Sequence, residues 1–401
     1  MDYEAIMTDE NAIYEAILKS TENSTWKPSS QCARNNMLSL VFDISDSLRD
    51  RSYISEPESH FTLSERGKVR RVDGFNVVDR SVRHVLCDDI LAPLISNKII
   101  YDNGASVKGR GISHSRKRFD AHLRKYFMHH DSNDGWILFG DFSKFYDNIL
   151  HEVAKKQLLE LVNNDIFLSW IFNIIFDGFE VDVSDLSDEE YLDIYEGVFD
   201  KITYEKLHNS SDRIRMMPKS VSIGDQLSQQ IGIYYPHRID NYVKIVRAQK
   251  YYGRYMDDWY VISPDRDELC DILHGIVEIG KPLGLHINVK KTHICKLDSK
   301  YKFLQVKYSL TKSGKIIKRI NPKRVTTMRR RLKKLAKKVY LGEVEYANVE
   351  NTFRSWMGSF HKLLSNEQRL NLISLYEELF NKKVYILKNK MVIVEEGLSN
   401  V

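Results

Sequence analysis

The stretch that most constrains this chain is Lys250-Tyr251-Tyr252-Gly253-Arg254-Tyr255-Met256-Asp257-Asp258-Trp259-Tyr260-Val261-Ile262-Ser263. Aromatic and β-branched residues flank two adjacent acids, with Gly253 before and Pro264 after. This pattern predicts a hairpin of two strands with the acids at its tip. Adjacent carboxylates repel, so keeping both ionised calls for a cation beside them. A hard divalent ion with oxygen ligands meets that need. A further acid stands upstream in Gly140-Asp141-Phe142-Ser143-Lys144-Phe145-Tyr146-Asp147-Asn148-Ile149. Apolar Trp136-Ile137-Leu138-Phe139 runs into Asp141, as a buried strand ending in a metal ligand would. Two ions held by Asp141, Asp257 and Asp258 would clamp the attacking and leaving oxygens of an in-line phosphoryl transfer. Taken alone, an Asp-Asp pair in a turn is usually solvated surface; the order and company of the other motifs argue for chemistry here.

A chain of 401 residues with 42% hydrophobic content has room for two or three domains or one multi-lobed enzyme. Its formal net charge of +5 is unevenly placed, with an acidic block around 177–205 and a basic block around 315–338. That asymmetry points to a polyanion partner for part of the surface. Cys32, Cys87, Cys270 and Cys295 have no paired spacing, so neither a disulfide framework nor a zinc site is expected, and a reducing cytoplasm fits. The start of the chain lacks an apolar signal core, and the best apolar run, Phe167 to Phe176, is too short to span a bilayer.

Residues 1–60 read as an extension with two amphipathic helices, one after Thr8-Asp9 with Ile13, Ala16 and Ile17 inward, one from Met37 to Leu48. Val78, Val82, Val85, Leu86 and Ile90 recur at helical spacing. Arg80, Arg83 and His84 then fall on or near the opposite face, as a solvated basic face or a nucleic-acid contact. Ile99-Ile100-Tyr101 reads as a strand, and Asn103 to Gly111 as a glycine-rich turn whose Lys108 and Arg110 could fold over a triphosphate. Ser113 to Tyr126 reads as a basic helix carrying Arg116 and Lys117, also candidate nucleic-acid contacts.

A helix to about Val162 follows Asp141, and Tyr146 is either a core aromatic or a ring placed under the sugar of an incoming nucleotide. Asp182, Asp185, Asp188, Glu189, Glu190, Asp193 and Glu196 mark an acidic insertion over 177–213, a solvated face or a docking surface. A loop with Gly224 leads into a helix whose early residues, Gln229 among them, are placed to touch template base and nucleotide. Glu268 to Leu283 reads as a helix, and Gly284 to Ile294 as a turn plus strand bearing Lys291. Tyr301 to Tyr308 and Ile316 to Ile320 read as paired strands. Val325, Met328, Leu332, Leu335 and Val339 form one stripe of a helix over 322–340. Arg329, Arg330, Arg331, Lys333, Lys334, Lys337 and Lys338 cover the rest, a face suited to duplex backbone, a membrane surface or a calmodulin-like partner. Residues 346–386 continue as helix, followed by a short strand, Lys390 to Val394.

In this order the motifs resemble a reverse transcriptase over roughly residues 68–340. The most specific part is Tyr255-Met256-Asp257-Asp258 preceded by Asp141-Phe142-Ser143-Lys144-Phe145-Tyr146-Asp147. The Gly104-Ala105-Ser106…Gly109-Arg110-Gly111 loop and Ile223-Gly224-Asp225-Gln226-Leu227-Ser228-Gln229 are similar to bacterial members: group II intron, retron, diversity-generating and abortive-infection or other phage-defence enzymes. The resemblance implies an α+β right-hand polymerase: fingers over 61–140, an antiparallel palm with helices over 141–310, and a helical thumb and tail over 311–401. It implies that Asp141, Asp257 and Asp258, with the Phe142 carbonyl, hold two Mg2+ ions, for which Mn2+ could substitute. Tyr146 would be the steric gate against a 2′-hydroxyl, Lys108 and Arg110 triphosphate contacts, and Lys291 a neighbour of the pyrophosphate.

The family usually has Asn where this chain has Asp225, and often Pro where it has Ser222, so handling of nucleotide or template at that loop is expected to differ. Neither the Asn-Ala-x-x-His nor the Val-Thr-Gly pattern of retrons occurs, and no maturase, RNase H or integrase segment is expected. The implied protein is a stand-alone, cytoplasmic, bacterial defence enzyme taking deoxynucleoside triphosphates and an RNA template, with DNA or an RNA–DNA duplex as product. Such enzymes often work with a noncoding RNA, and some oligomerise or use a companion protein. Template-independent or protein-primed synthesis, and an RNA-binding scaffold with a vestigial palm, are the alternatives.

Overall fold

Four helices open the chain: α1 (Tyr3–Met7), α2 (Glu10–Glu22), α3 (Pro28–Asn35) and α4 (Met37–Arg49). The computed structural model describes residues 1–56, 59–65, 68–176, 181–182, 216–221, 224–387 and 390–395. Asp2 and Asp9 accept from the Ala5 and Ala12 N–H groups, so each capping acid starts its helix. Ile13, Ala16 and Ile17 of α2 and Val41, Ile44 and Leu48 of α4 are buried. They belong to the same core as Leu138, Phe142 and Val261. Residues 1–56 are thus a layer of the main core, where the sequence suggested an extension.

Strands β1 (Ser59–Glu65) and β2 (Lys68–Gly74) form an antiparallel ribbon. Helix α5 (Val77–Val85), capped by Asn76, runs through a π-helical turn, Leu86–Leu91, into α6 (Ala92–Ser96). Ile99-Ile100-Tyr101 is not a strand. The Ile99 N–H bonds back to Ile95 and the Asn103 N–H to Ile100, so these donors are spent in local turns. Just after this stretch, Asn103 bridges to the strand residue Arg254. Helix α7 (Ile112–His130) is longer than its basic stretch suggested.

The central sheet assembles from distant segments. Strand β3 (Trp136–Asp141) is followed by α8 (His151–Leu161) and the apolar α9 (Ile166–Phe176). Short strands β4 (Val181–Asp182) and β5 (Met216–Met217) pair antiparallel, and the acidic residues from Asp185 to Glu196 lie outside the described residues. Helices α10 (Gln226–Tyr234) and α11 (His237–Asn241) lead to β6 (Tyr252–Tyr255), β7 (Asp258–Ser263), α12 (Arg266–Gly280) and β8 (His293–Lys296). The strand order is β6-β7-β3-β8, with β7 antiparallel to both β6 and β3. Gly140 pairs with Trp259 across β3 and β7. A Cβ on Gly140 would lie 2.0 Å from the indole, so only glycine lets this ring cross the strand.

The chain divides into two compact units, Met1–His122 with Gly135–Ile294, and Leu123–Asp134 with Cys295–Val401. The second contains β9 (Tyr301–Phe303), β10 (Val306–Leu310) and β11 (Ile316–Ile320), an antiparallel sheet in the order β11-β10-β9. Helices α13 (Pro322–Tyr340), α14 (Tyr346–Phe360) and α15 (Asn366–Phe380) and the hairpin β12 (Lys382–Leu387) and β13 (Lys390–Glu395) complete it. Val325, Met328 and Leu332 are buried with Val349, Phe353 and Tyr376, and Leu335 and Val339 pack beside them, as their stripe predicts. Helix α15 stops at Asn381, whose left-handed φ of 52° reverses the chain into β12; the sequence pattern had continued the helix to 386. No helix among the described residues is long and apolar enough to cross a membrane.

The Trp259–Gly140 contact yields a stability test. Gly140→Ala is expected to destabilise the protein by about 1–3 kcal/mol through overpacking. Urea denaturation measures it, and an unchanged midpoint would refute the fit.

Candidate active site

The strand register brings the acids together. Asp141, last residue of β3, is the cross-strand partner of Asp258, first residue of β7. Tyr255 pairs with Asp258 to close the hairpin, leaving Met256 and Asp257 at the tip as predicted. Met256 holds a left-handed φ of 55°, unusual for a residue with a side chain. Arg254 stabilises it by donating from Nη1 to the Met256 carbonyl at 3.1 Å.

Arg254 is itself buried, at 1% exposure, inside an otherwise uncharged strand. Its Nε and Nη2 grip the Asp240 carboxylate of α11, with Nη2 at 2.7 Å. It also donates to the Ile233 carbonyl at 2.7 Å and the Gly232 carbonyl at 3.5 Å, at the end of α10. Tyr252 donates to Asp240 at 2.6 Å. The Arg254 N–H donates to the Asp102 carbonyl, and the Gly104 N–H to the Arg254 carbonyl, tying the glycine-rich loop to the hairpin. Asp102 beneath that loop gathers Arg118 at 2.6 Å, Lys244 at 3.0 Å and His122 at 3.4 Å. Burial opposes its charge, but the His122 and Arg118 hydrogen bonds and the Lys244 charge hold its carboxyl well below the usual range. Arg254, Asp240 and Asp102 were not found by sequence reasoning. The available signal was a lone Arg within an aromatic strand, which in a buried setting must find a partner.

The chain around Asp141 is equally tied. The Asn288 N–H donates to the Asp141 carbonyl and the Ser143 N–H to the His286 carbonyl, both at 2.8 Å. These bonds flank Phe142 and leave its own carbonyl out of the ladder. The Asp141 N–H donates to Thr292 Oγ1 at 3.4 Å. Lys291 Nζ donates to both Asp141 carboxylate oxygens, at 2.7 and 2.6 Å. Partial burial works against the Lys291 charge, but bonding to Asp141 and the charges of Asp141, Asp257 and Asp258 raise its pKa. Burial, then the charges of Asp257 and Asp141, push the Asp258 carboxyl up to about 7.

Among the described residues no three His, Cys, Asp or Glu side chains stand ready-grouped around one point for an ion. Lys291 supplies the positive charge at Asp141 instead. The donor set nonetheless fits a hard divalent cation: the carboxylates of Asp141 and Asp258 face each other across the strands with Asp257 beside them.

Tyr146 lies in the turn after Asp141, half-buried, with its hydroxyl 3.7 Å from the Met256 sulfur. Burial, then the Asp257 charge, pushes its phenol up to about 12. It packs against Gly232 of α10, where an added Cβ would lie 3.3 Å from the ring and 3.4 Å from the Met256 sulfur. Gly232 was another residue missed in the sequence. Gln229, one turn earlier on the same face, accepts from Ser106 Oγ of the glycine-rich loop at 2.9 Å. Gly224 takes a φ of 115°.

Other candidates are placed differently. Lys108 is exposed beside Gly109. Arg110 folds back onto the Ile100, Tyr101 and Asn103 carbonyls, at 3.4, 3.3 and 3.0 Å, bracing its own loop where the sequence suggested a phosphate contact. Arg80 is half-buried and donates to the Asn76 carbonyl. Arg83, expected on an outer face, is buried and paired with Asp225, so it presents no charge to a nucleic acid. Arg116 is partly buried and Lys117 exposed. In the second unit, Arg329, Arg330, Arg331 and Lys334 are exposed on α13.

Residues 64–308, more than half the chain, match the family described as reverse transcriptase (RNA-dependent DNA polymerase). The chain belongs to that family. Its α+β fold is that of a right-hand polymerase, built on the β6-β7-β3-β8 sheet.

No curated protein matches the chain. Among solved structures it is similar to apo telomerase from Candida tropicalis truncated from the C-terminal domain. That match has 10% identity and a TM-score of 0.42, covering 65% of this chain and 54% of the other. It is also similar to telomerase from Candida albicans in complex with a TWJ fragment of telomeric RNA, at 13% identity and a TM-score of 0.43, covering 84% and 64%. The match thus spans less than two thirds of either telomerase chain.

Replacing Arg254 with Met strands the Asp240 carboxylate in the core. The expected loss is about 3–5 kcal/mol of folding stability, read by chemical denaturation. Arg254→Met with Asp240→Leu should recover part of it. A double variant as unstable as the summed single variants would argue against the pair.

Proposed function

We propose that this protein makes DNA on a dedicated noncoding RNA by two-metal nucleotidyl transfer, in the cytoplasm of a bacterium and in defence against phage. The single observation that carries the polymerase chemistry is the Asp141–Asp258 cross-strand pair, with Asp257 at the tip and Tyr146 against Met256. The defence role and the noncoding RNA rest on the resemblance of the glycine-rich and Gly224 loops to stand-alone bacterial enzymes.

Asp141, Asp257 and Asp258, helped by the Phe142 carbonyl, would hold two Mg2+ ions. Such ions, when bound, activate the primer 3′-hydroxyl and neutralise charge on the departing pyrophosphate. The primer oxygen attacks the α-phosphorus, forming one P–O bond as the bond to the pyrophosphate oxygen breaks. Lys291, released from Asp141, is within reach of that leaving group, and exposed Lys108 can meet the triphosphate from the glycine-rich loop. Tyr146 keeps its proton at neutral pH and presents a bulky ring where a 2′-hydroxyl would sit. Gln229 and Gly224 are the further nucleotide contacts of this reading. The cations of α13 suit a duplex backbone, where binding is salt-dependent and indifferent to sequence.

Purified protein with its co-purifying nucleic acid tests this reading. Labelled deoxynucleotides should enter product complementary to the bound RNA, and RNase pretreatment should abolish it. Asp257→Ala should remove incorporation while leaving the melting temperature close to wild type. Product surviving RNase would instead establish template-independent synthesis, and normal activity in Asp257→Ala would sink the site assignment. Tyr146→Ala should admit ribonucleotides, lowering the deoxy-to-ribo preference by about tenfold or more; unchanged preference removes the gate.

A further inference from the structure

The Arg83–Asp225 pair joins residues 142 positions apart. Arg83 is on α5; Asp225 immediately precedes α10. Their side chains meet at 2.8 Å and are 3% and 5% exposed. The guanidinium lies over the Phe75 ring, 3.8 Å from its centroid. Its buried Nε has no hydrogen-bond partner among the described residues. Desolvation offsets most of the attraction in such a pair, so its contribution is geometric more than energetic.

The geometry concerns α10. Asp225 holds the N-cap position with extended backbone, φ −82° and ψ 145°, yet its carboxylate does not cap the helix. An acid at this position ordinarily accepts from the first-turn N–H groups; here it is committed to Arg83. The next residue repeats the tie: Gln226 donates to Asp88 of the π-helical turn, and Asp88 also accepts from Lys19 of α2 at 2.9 Å. The start of α10 is therefore clamped to the N-terminal helices by side chains. From Asp225, α10 runs about 10 Å to Gly232 at its ordinary rise. There, with no side chain on Gly232, it abuts Tyr146 and Met256.

We propose that Arg83 and Asp225 are a positioning pair for nucleotide selection. They fix the axial and rotational setting of α10, and through Gly232 the seat of the Tyr146 ring, without touching the nucleotide. This rests on the reading of Tyr146 as the sugar gate.

Single-nucleotide incorporation by the full chain tests it, with deoxy- and ribonucleotides compared. The variants are Asp225→Asn, which preserves shape, Arg83→Met, Gly232→Ala, and Asp225→Asn combined with Gly232→Ala, each with a melting temperature. Asp225→Asn should raise the deoxynucleotide KM by about threefold or more, change kcat by less than about twofold, and narrow the deoxy-to-ribo preference. The combined variant should lose less preference than the product of the single losses, because both act through one helix. If Arg83→Met does not fold, the Asp225→Asn and Gly232→Ala cycle decides alone. Lower melting with unchanged KM and preference would show a purely structural pair and overturn the proposal, as would losses that simply multiply. Tyr146→Ala is run alongside. If it leaves ribonucleotides excluded, the gate reading fails and this inference with it. If it admits them while Asp225→Asn changes nothing, only the inference fails.

Discussion

A buried guanidinium holds the acidic end of the central sheet together. Arg254 lies wholly inside the core, and its donors go to Asp240 and to the Gly232, Ile233 and Met256 carbonyls. One side chain thus joins the hairpin, the end of α10 and α11. A charge buried this deeply is tolerated because its donors meet the Asp240 carboxylate and three backbone carbonyls. The consequence is positional. The Met256 backbone is held in its left-handed turn, the acids that follow are aimed at β3, and the strand pairing sets Asp141 opposite Asp258.

The acids and the cation that faces them are built differently. Asp141 ends a buried strand, its side chain 4% exposed; Lys291 comes from a loop and is 52% exposed. The carboxylates are therefore fixed by sheet register, while the ammonium is on a long, flexible stem. A site of this kind keeps its negative charge in place and its positive charge movable. The raised pKa of Asp258 records the same imbalance, since burial and two neighbouring acids outweigh one lysine.

Much of this was legible along the chain. The hairpin, β3 and the α13 stripe followed from periodicity, and the pairing of Asp141 with the Asp257-Asp258 tip from motif order. Errors clustered where a residue's partner is remote or its backbone is already engaged. Ile99-Ile100-Tyr101 has strand composition, but its neighbourhood spends its donors in turns after α6. The stretch ending at 386 has helical composition up to Phe380, where Asn381 turns the chain into β12. Arg110 looked like a phosphate ligand because its loop is rich in glycine, yet its guanidinium turns back to the Ile100, Tyr101 and Asn103 carbonyls at the start of that loop.

Local pattern by itself determined where most strands and helices begin and which acids stand at their ends. Strand alternation, helical spacing and capping all act within a few residues, so they can be read without the fold. Tertiary structure alone decided which charges remain available. Arg83 and Arg254 have similar prospects in the sequence, and both are consumed by acids far along the chain or in a separate helix. Lys108 and the α13 cations stay exposed. A charge leaves no local mark of its eventual partner, because desolvation and pairing are set by what packs around it once the chain has closed.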